Sequence, residues 1–171
     1  PAPPGATLET VIARVPANVH TRFIAMARAL WTAAVRYGVD PVGVVAQAGK
    51  ETGWGNYGGN VRPEFFNTCG LKLAPAQQRL FPGTTDGDNP LAHAMFASWD
   101  VGATAHVQHL MAYAKLPVNV GVGGLIVDPR FGIVPLPAVE TWEGLGGRWA
   151  PSPSYGVEIE ASMRRLADYP G

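Results

Sequence analysis

Glu51 sits where a carboxyl group is easily kept neutral. It ends a run of small and apolar residues, Val44-Val-Ala-Gln-Ala-Gly-Lys-Glu51, and Trp54 follows within one helical turn. Burial beside an indole disfavours the ionised form, and the negative end of a helix dipole disfavours it again. A carboxylic acid still protonated near pH 6 can hand its proton to a glycosidic oxygen, so the expected chemistry is general acid catalysis. A blander reading competes, in which Glu51 closes a loop or pairs with Lys50 or Arg62.

Two other sets of residues bear on chemistry. Cys69 is the lone cysteine, and His93, His106 and His109 offer bases for a thiol nucleophile of the peptidase or amidase kind. A lone cysteine is more often buried and inert. His106 and His109 share one face of a helix, and a zinc site there needs a third ligand from His93 or Asp100. No HExxH pattern is present, and a hydrogen-bonding helix face is the preferred reading of the two histidines. Walker A, GxSxG and GxGxxG patterns are also absent, and none of the serines at 98, 152, 154 and 162 lies in a nucleophile elbow.

Helices must carry these groups. Phe23, Met26, Ala27, Leu30, Trp31, Ala34 and Val35 recur at helical spacing, predicting a helix from about Asn18 to Tyr37 that stops at Gly38. Asp40-Pro41 is a cap followed by proline at the first helical position. It opens a helix bearing Val42, Val45 and Ala48 that ends at Gly53, with Glu51 in its last turn. A third helix follows Asp100, with Ala103, Val107, Leu110, Met111 and Ala114 as its buried stripe. A fourth spans roughly Tyr155 to Ala167 with Ile159, Met163 and Leu166 inward, and a weaker one covers Leu8 to Ala13. Between Gly53 and Asp100 the chain shows no helical period and is punctuated by Gly and Pro, as functional loops of this length usually are. A small hairpin is expected there, and Trp142 to Leu145 reads as a short helical turn.

Composition narrows the function classes. The 171 residues predict one domain, with residues 1–7 as a linker remnant and 8–171 as the folded unit. Thirteen basic and thirteen acidic side chains cancel, which argues against a nucleic-acid partner. No uncharged run reaches the ~20 apolar residues of a span, and the one from Leu116 to Val127 is broken by Pro117 and three glycines, so no membrane span is expected. No signal peptide starts the chain; its Pro-rich beginning reads as an interdomain scar, tethering the unit to a separate wall-binding or second catalytic domain. Neutral net charge gives no long-range attraction to an anionic surface, so targeting is expected from outside this unit.

Ala46-Gln-Ala-Gly-Lys-Glu51-Thr-Gly-Trp-Gly55 resembles the catalytic segment of the bacterial and phage cell-wall glucosaminidases, glycoside hydrolase family seventy-three and its relatives. Asn67-Thr-Cys-Gly-Leu-Lys72 is similar to that family's Asn-Leu-Phe-Gly-Ile-Lys, with Cys69 where the family has Phe, a place no nucleophile would cede. Asp88-Asn-Pro-Leu-Ala-His93, Phe96-Ala-Ser-Trp-Asp100, His106-Val-Gln-His109-Leu-Met-Ala-Tyr113, Asp128-Pro-Arg-Phe131 and Leu145-Gly-Gly-Arg-Trp149 through Tyr155-Gly resemble its later motifs in order. The likeness spans about Arg22 to Leu166.

The resemblance implies a mainly α (α+β), lysozyme-like fold: a helical lobe and a small loop or β lobe flanking a sugar cleft. It implies a peptidoglycan hydrolase acting on the bacterial wall, cleaving GlcNAc-β-1,4-MurNAc with Glu51 as general acid and without cofactor or metal. A muramidase or lytic transglycosylase would use the same Glu51. The family's second carboxylate falls on Thr84-Thr-Asp86-Gly-Asp88; Asp86 is the first candidate, then Asp88 and Glu64, and Asp86-Gly87 also reads as a plain turn. Catalysis assisted by the substrate's own acetamido group needs none of them. Trp54, Tyr57, Trp149 and Tyr155 are expected against the sugars, since CH-rich sugar faces lie well on aromatic rings. Tyr155 matches a tyrosine beside the family's general acid. Asn67 and Lys72 are expected to contact an N-acetyl or carboxylate group, with Asn67 bracing loop backbone as the alternative. Trp31, Trp99 and Trp142 are assigned to packing. A non-catalytic wall-binding module would need these aromatics but not Glu51.

Overall fold

The helix that ends in Glu51 begins at a side-chain cap. In the computed structural model, which describes residues 1–78, 92–118, 125–135 and 137–170, Asp40 Oδ1 accepts from the backbone N–H groups of Val42 and Gly43 at 3.0 and 3.4 Å. Pro41 occupies the first turn, where its missing N–H costs nothing. This helix, Pro41–Thr52, is preceded by α1 (Leu8–Ile12) and α2 (Arg22–Tyr37), and is α3. It stops at Gly53, whose φ of 56° lies in the left-handed region that glycine tolerates.

Every residue of α3 from Pro41 to Gly49 is buried. A helix buried all round must let its neighbours come close, and its glycines do that. A Cβ on Gly43 would lie 2.2 Å from the Trp142 ring, and one on Gly49 would lie 2.6 Å from the Trp54 ring. The α2 helix packs on α3 and on α5 (Trp99–Tyr113), while α6 (Tyr155–Leu166) packs on α3 from another side. A four-residue turn, α4 (Pro75–Gln78), lies between α3 and α5 in the chain.

The mainly α class is thus observed. Among the described residues, strand pairing is limited to isolated bridges. Within the segment where a small hairpin is expected, the described residues show one antiparallel bridge, between Lys72 and His93. It is flanked by hydrogen bonds from Leu73 N to Ala92 O and from Ala94 N to Leu71 O, each 2.8 Å. Trp142 to Leu145 forms the short turn expected, a 3₁₀ helix over Glu143–Leu145.

Two details of α2 differ from the sequence expectation. α2 begins at Arg22 rather than Asn18, because turns closed by Val19 N–H to Pro16 and Phe23 N–H to His20 occupy the preceding residues. Val35 is 61% exposed. It lies one residue, or 100°, beyond Ala34 and so leaves the buried arc. Residues 1–7 are seated on the unit: Pro3 is buried, and Ala2 and Ala6 pack against the main core.

The α5 helix buries more than its predicted stripe. Gly102, Ala103 and all residues from Ala105 to Tyr113 are buried, including His106, Gln108 and His109. One side faces α2; the other lies under the loops at 66–71 and 125–128. A Cβ on Gly102 would lie 1.8 Å from the Phe66 carbonyl oxygen. Gln108 Oε1 accepts from the backbone N–H groups of Val127 and Asp128 at 2.7 and 3.1 Å. A second, smaller apolar cluster of Cys69, Leu71 and Ala105 fills the space beneath the first loop.

Candidate active site

The carboxyl group of Glu51 is held by one oxygen. Trp149 Nε1–H donates to Oε1 at 3.1 Å, and the Tyr155 hydroxyl donates to the same oxygen. Both donors arrive from the far end of the chain, Tyr155 as the first residue of α6 and Trp149 from the loop before it. Among the described residues nothing hydrogen-bonds Oε2, which lies toward Gly70; a Cβ there would be 3.7 Å away. Lys50 does not pair with Glu51. It pairs with Glu158 and sits 5.7 Å from the centre of the Tyr155 ring.

Burial pushes the Glu51 carboxyl above its ordinary range, and the Tyr155 and Trp149 donors and the Lys50 charge only partly oppose this. A proton on this group therefore belongs on Oε2, the oxygen without donors. The same surroundings raise the Tyr155 hydroxyl, by burial first and then by the Glu51 charge, so it remains a donor.

Behind Tyr155 lies a chain of polar groups with one direction. Gln47 Nε2 donates to the Tyr155 oxygen at 3.0 Å. Gln47 Oε1 then requires a donor, which is His106 Nε2–H at 3.0 Å. His106 Nδ1 is left to accept from the Thr68 hydroxyl at 3.0 Å. Gln47, His106 and Thr68 are completely buried. Burial, with a smaller contribution from His109, pushes the His106 imidazole down to about 3, so it is neutral as the network demands. All donors point toward Glu51 and fix the position of the Tyr155 hydroxyl.

Trp149 is fixed in another way. Its ring lies 5.0 Å from that of His109 and 5.4 Å from that of Tyr113. His109 is oriented in turn by Asp128, whose Oδ2 lies 2.8 Å from Nδ1. These contacts give the two histidines the hydrogen-bonding role preferred from their spacing. Among the described residues no group of three potential metal ligands is assembled.

Two clefts meet at Glu51. One, of about 370 Å³, runs past Lys72, His109, Tyr113, Arg130, Arg148 and Trp149. The other, of about 400 Å³, runs past Thr52, Tyr57, Asn60, Lys72 and His93. Glu51, Gly70 and Lys72 belong to both, so the Glu51 side chain lies where the two clefts meet. A separate cleft of about 220 Å³ near Trp142 contains Asp40, but that carboxylate caps α3 and accepts from the Tyr169 hydroxyl at 2.8 Å.

The expected site residues divide into three groups. Glu51, Trp149, Tyr57 and Lys72 line the groove. Tyr155 is buried behind Glu51 and touches the acid rather than the groove surface. Trp54 stands edge-on to Phe23 at 5.2 Å and covers Gly49, which makes it a packing residue. Asn67 takes the alternative role named for it, bracing the loop backbone. Its amide donates to the carbonyls of Leu71 and Ala94 and accepts from Cys69 N and Leu71 N, so it is fully used in shaping the loop. Glu64 is exposed and lines neither cleft. Asp86 and Asp88 lie outside the described residues.

Cys69 is buried, and its thiol is driven well above its ordinary range by burial and by the charges of Glu51 and Asp128. A thiol held protonated is a poor nucleophile. Sequence reasoning missed Gln47, Thr68, Arg130 and Arg148. Only Gln47 gave a signal: it is a polar residue on an apolar helix, one turn ahead of Glu51.

No family model matches the chain, and no solved structure matches it. The chain is similar to a protein of Borreliella burgdorferi described as an uncharacterized protein, 32% identical over 74 residues. The match covers 43% of this chain and 35% of that protein, so the chain spans about a third of its relative.

Proposed function

We propose that this chain cleaves the glycan strand of peptidoglycan as an endo-β-N-acetylglucosaminidase, with Glu51 as the general acid. The observation that carries the proposal is the asymmetry of the Glu51 carboxyl. Two donors hold Oε1, Oε2 has no donor among the described residues, and the group, raised by burial, lies where two clefts meet. A glycan laid across those clefts would bring a bridging oxygen to the proton on Oε2. In this reading the helical body and the loops at 53–78 and 92–98 flank the strand as the two lobes of a lysozyme-like fold.

Proton transfer from Oε2 to the bridging oxygen breaks the C1–O bond and leaves Glu51 as a carboxylate. Tyr155 and Trp149 stabilise that charge. The positive charge at C1 is met either by Asp86 or by the carbonyl oxygen of the substrate's own acetamido group. Water then adds to C1, aided by Glu51 acting as a base. The wall is the site of action, and a separate binding domain supplies the targeting that a neutral chain lacks.

The test is digestion of purified peptidoglycan by wild type and Glu51→Gln, with borohydride reduction and mass spectrometry of the products. Wild type should give reducible GlcNAc ends, and Glu51→Gln should lose about a thousandfold in rate. Reducible MurNAc ends would make the enzyme a muramidase, and anhydro-MurNAc ends a transglycosylase. Cut peptide stems on intact glycan, or an active Glu51→Gln, would refute the reading.

A further inference from the structure

The two halves of the groove differ in charge. Three cations, Lys72, Arg130 and Arg148, line the cleft on the Trp149 side. They converge from separate places: the loop beneath α4, the turn after Asp128, and the loop before α6. The chain as a whole balances thirteen basic against thirteen acidic residues, so this clustering is local. Among the described residues the other cleft, apart from the shared Glu51 and Lys72, is lined by groups such as Thr52, Tyr57, Asn60 and His93 and by no further Lys, Arg, Asp or Glu.

The guanidinium groups are anchored to carbonyls rather than to carboxylates among the described residues. Arg130 donates through Nη1 to the Leu73 carbonyl at 3.0 Å. Arg148 donates through Nη2 to the carbonyls of Pro135 and Pro137 at 3.1 and 2.8 Å. An arginine has five N–H groups, so both keep donors in hand while their planes are held in place. Among the described residues no carboxylate pairs with Arg130, Arg148 or Lys72. The nearby Asp128 is engaged elsewhere, accepting from the Arg130 backbone N–H at 2.8 Å and facing His109.

We infer that the cleft lined by Lys72, Arg130 and Arg148 is a carboxylate subsite, which seats the acidic branch of an N-acetylmuramic acid residue. This rests on the glycan-cleavage reading and assigns residues of this chain to its acidic side. The muramic acid, on the leaving-group side of Glu51, projects its branch among the three cations. The neutral N-acetylglucosamine that is cut occupies the cleft beside Thr52 and Tyr57. An anchored arginine fork suits a carboxylate because bidentate geometry is already set. A neutral chitin strand offers these cations nothing.

The test uses the full chain carrying Glu51→Gln, so that bound oligosaccharides stay intact, and calorimetry at low salt. The probes are chitotetraose, a GlcNAc–MurNAc tetrasaccharide with free lactyl carboxylates, and the same tetrasaccharide bearing an Ala–isoGlu stem. An acidic tetrasaccharide should bind about tenfold tighter than chitotetraose, with the difference shrinking as salt rises. Preference for the bare sugar assigns the subsite to the lactyl carboxylate, and preference only for the stem-bearing one assigns it to the peptide. Adding Lys72→Gln or Arg130→Gln should each remove most of that preference, lowering binding of the acidic probe several-fold more than that of chitotetraose. Lys72 anchors no carbonyl through its side chain, so its variant guards against a folding defect in the other. Equal binding of neutral and acidic probes, or equal losses for both, would overturn the subsite and leave the glycosidase reading intact. Binding of none of the three would overturn both.

Discussion

Replacing Tyr155 by Phe removes one oxygen beside Glu51 and leaves the ring in place. The lost hydroxyl donates to Glu51 Oε1 and accepts from Gln47. A hydrogen bond to a charged group contributes about 1.5–3 kcal/mol. The donor favours the carboxylate over the acid, so its loss makes Glu51 hold its proton more tightly. At 1.36 kcal/mol per pH unit, the smaller figure corresponds to about one unit. A general acid works while protonated, so activity falls as pH rises through the titration of Glu51. The basic limb of the rate profile should therefore move up by about one unit in Tyr155→Phe. The maximum rate should fall, because the weaker acid gives up its proton less readily and the new carboxylate has one donor fewer. Stability should drop by about 1–3 kcal/mol, since Gln47 Nε2 loses its acceptor in a fully buried place. The assay is the initial rate of glycan cleavage across pH, paired with urea unfolding. A basic limb that stays fixed or moves down in a folded variant would refute the role given to Tyr155. A purely structural tyrosine would lower stability without moving the limb.

Two further outcomes follow from buried groups. The imidazole of His106, pushed down to about 3, is neutral in the folded protein and titrates near 6.5 when unfolded. The unfolded chain therefore binds the extra proton between those values. Stability from this group is complete above about pH 6.5 and is lost as pH falls toward 3, of order 4 kcal/mol in all. Urea midpoints should drop across that window and flatten in His106→Gln; an unchanged slope would contradict a buried neutral imidazole. Cys69→Ser should retain activity within about twofold while losing about 1 kcal/mol of stability, because a hydroxyl replaces the thiol in a buried apolar cluster. A folded but inactive Cys69→Ser would restore the thiol mechanism.

The helices were legible because their signals are local. Asp40-Pro41 and Gly53 bracket α3, and the periodic apolar residues of α2 and α6 name most of their buried faces. α5 was half legible. Its apolar stripe shows one buried face, but periodicity records apolarity rather than burial. The opposite face is covered by loops that satisfy His106, Gln108 and His109 through hydrogen bonds. The long loop region gave no periodic signal for a related reason. Its backbone at 67–71 is held by the Asn67 amide instead of by a strand ladder, so no alternation of residue types marks it.

The site follows the same division between near and far. That Glu51 would be buried beside apolar neighbours could be read from one turn of helix. The groups that decide how it behaves could not, since Trp149 and Tyr155 stand 98 and 104 positions away and meet at Oε1 only when α6 docks on α3. Trp54 shows the opposite hazard: adjacent to Glu51 in sequence, it turns back onto Gly49 and Phe23 and leaves the groove to Trp149. Arg130 and Arg148 were silent because an arginine in a loop ordinarily reads as solvated charge. What distinguishes them is the carbonyl each one holds, at Leu73 and at Pro135 and Pro137. Those anchors keep two cations on the groove wall where a flexible surface arginine would relax into water. A charge fixed in this way can select a ligand, and it marks the Trp149 side of Glu51 as the place where an acidic branch would be received.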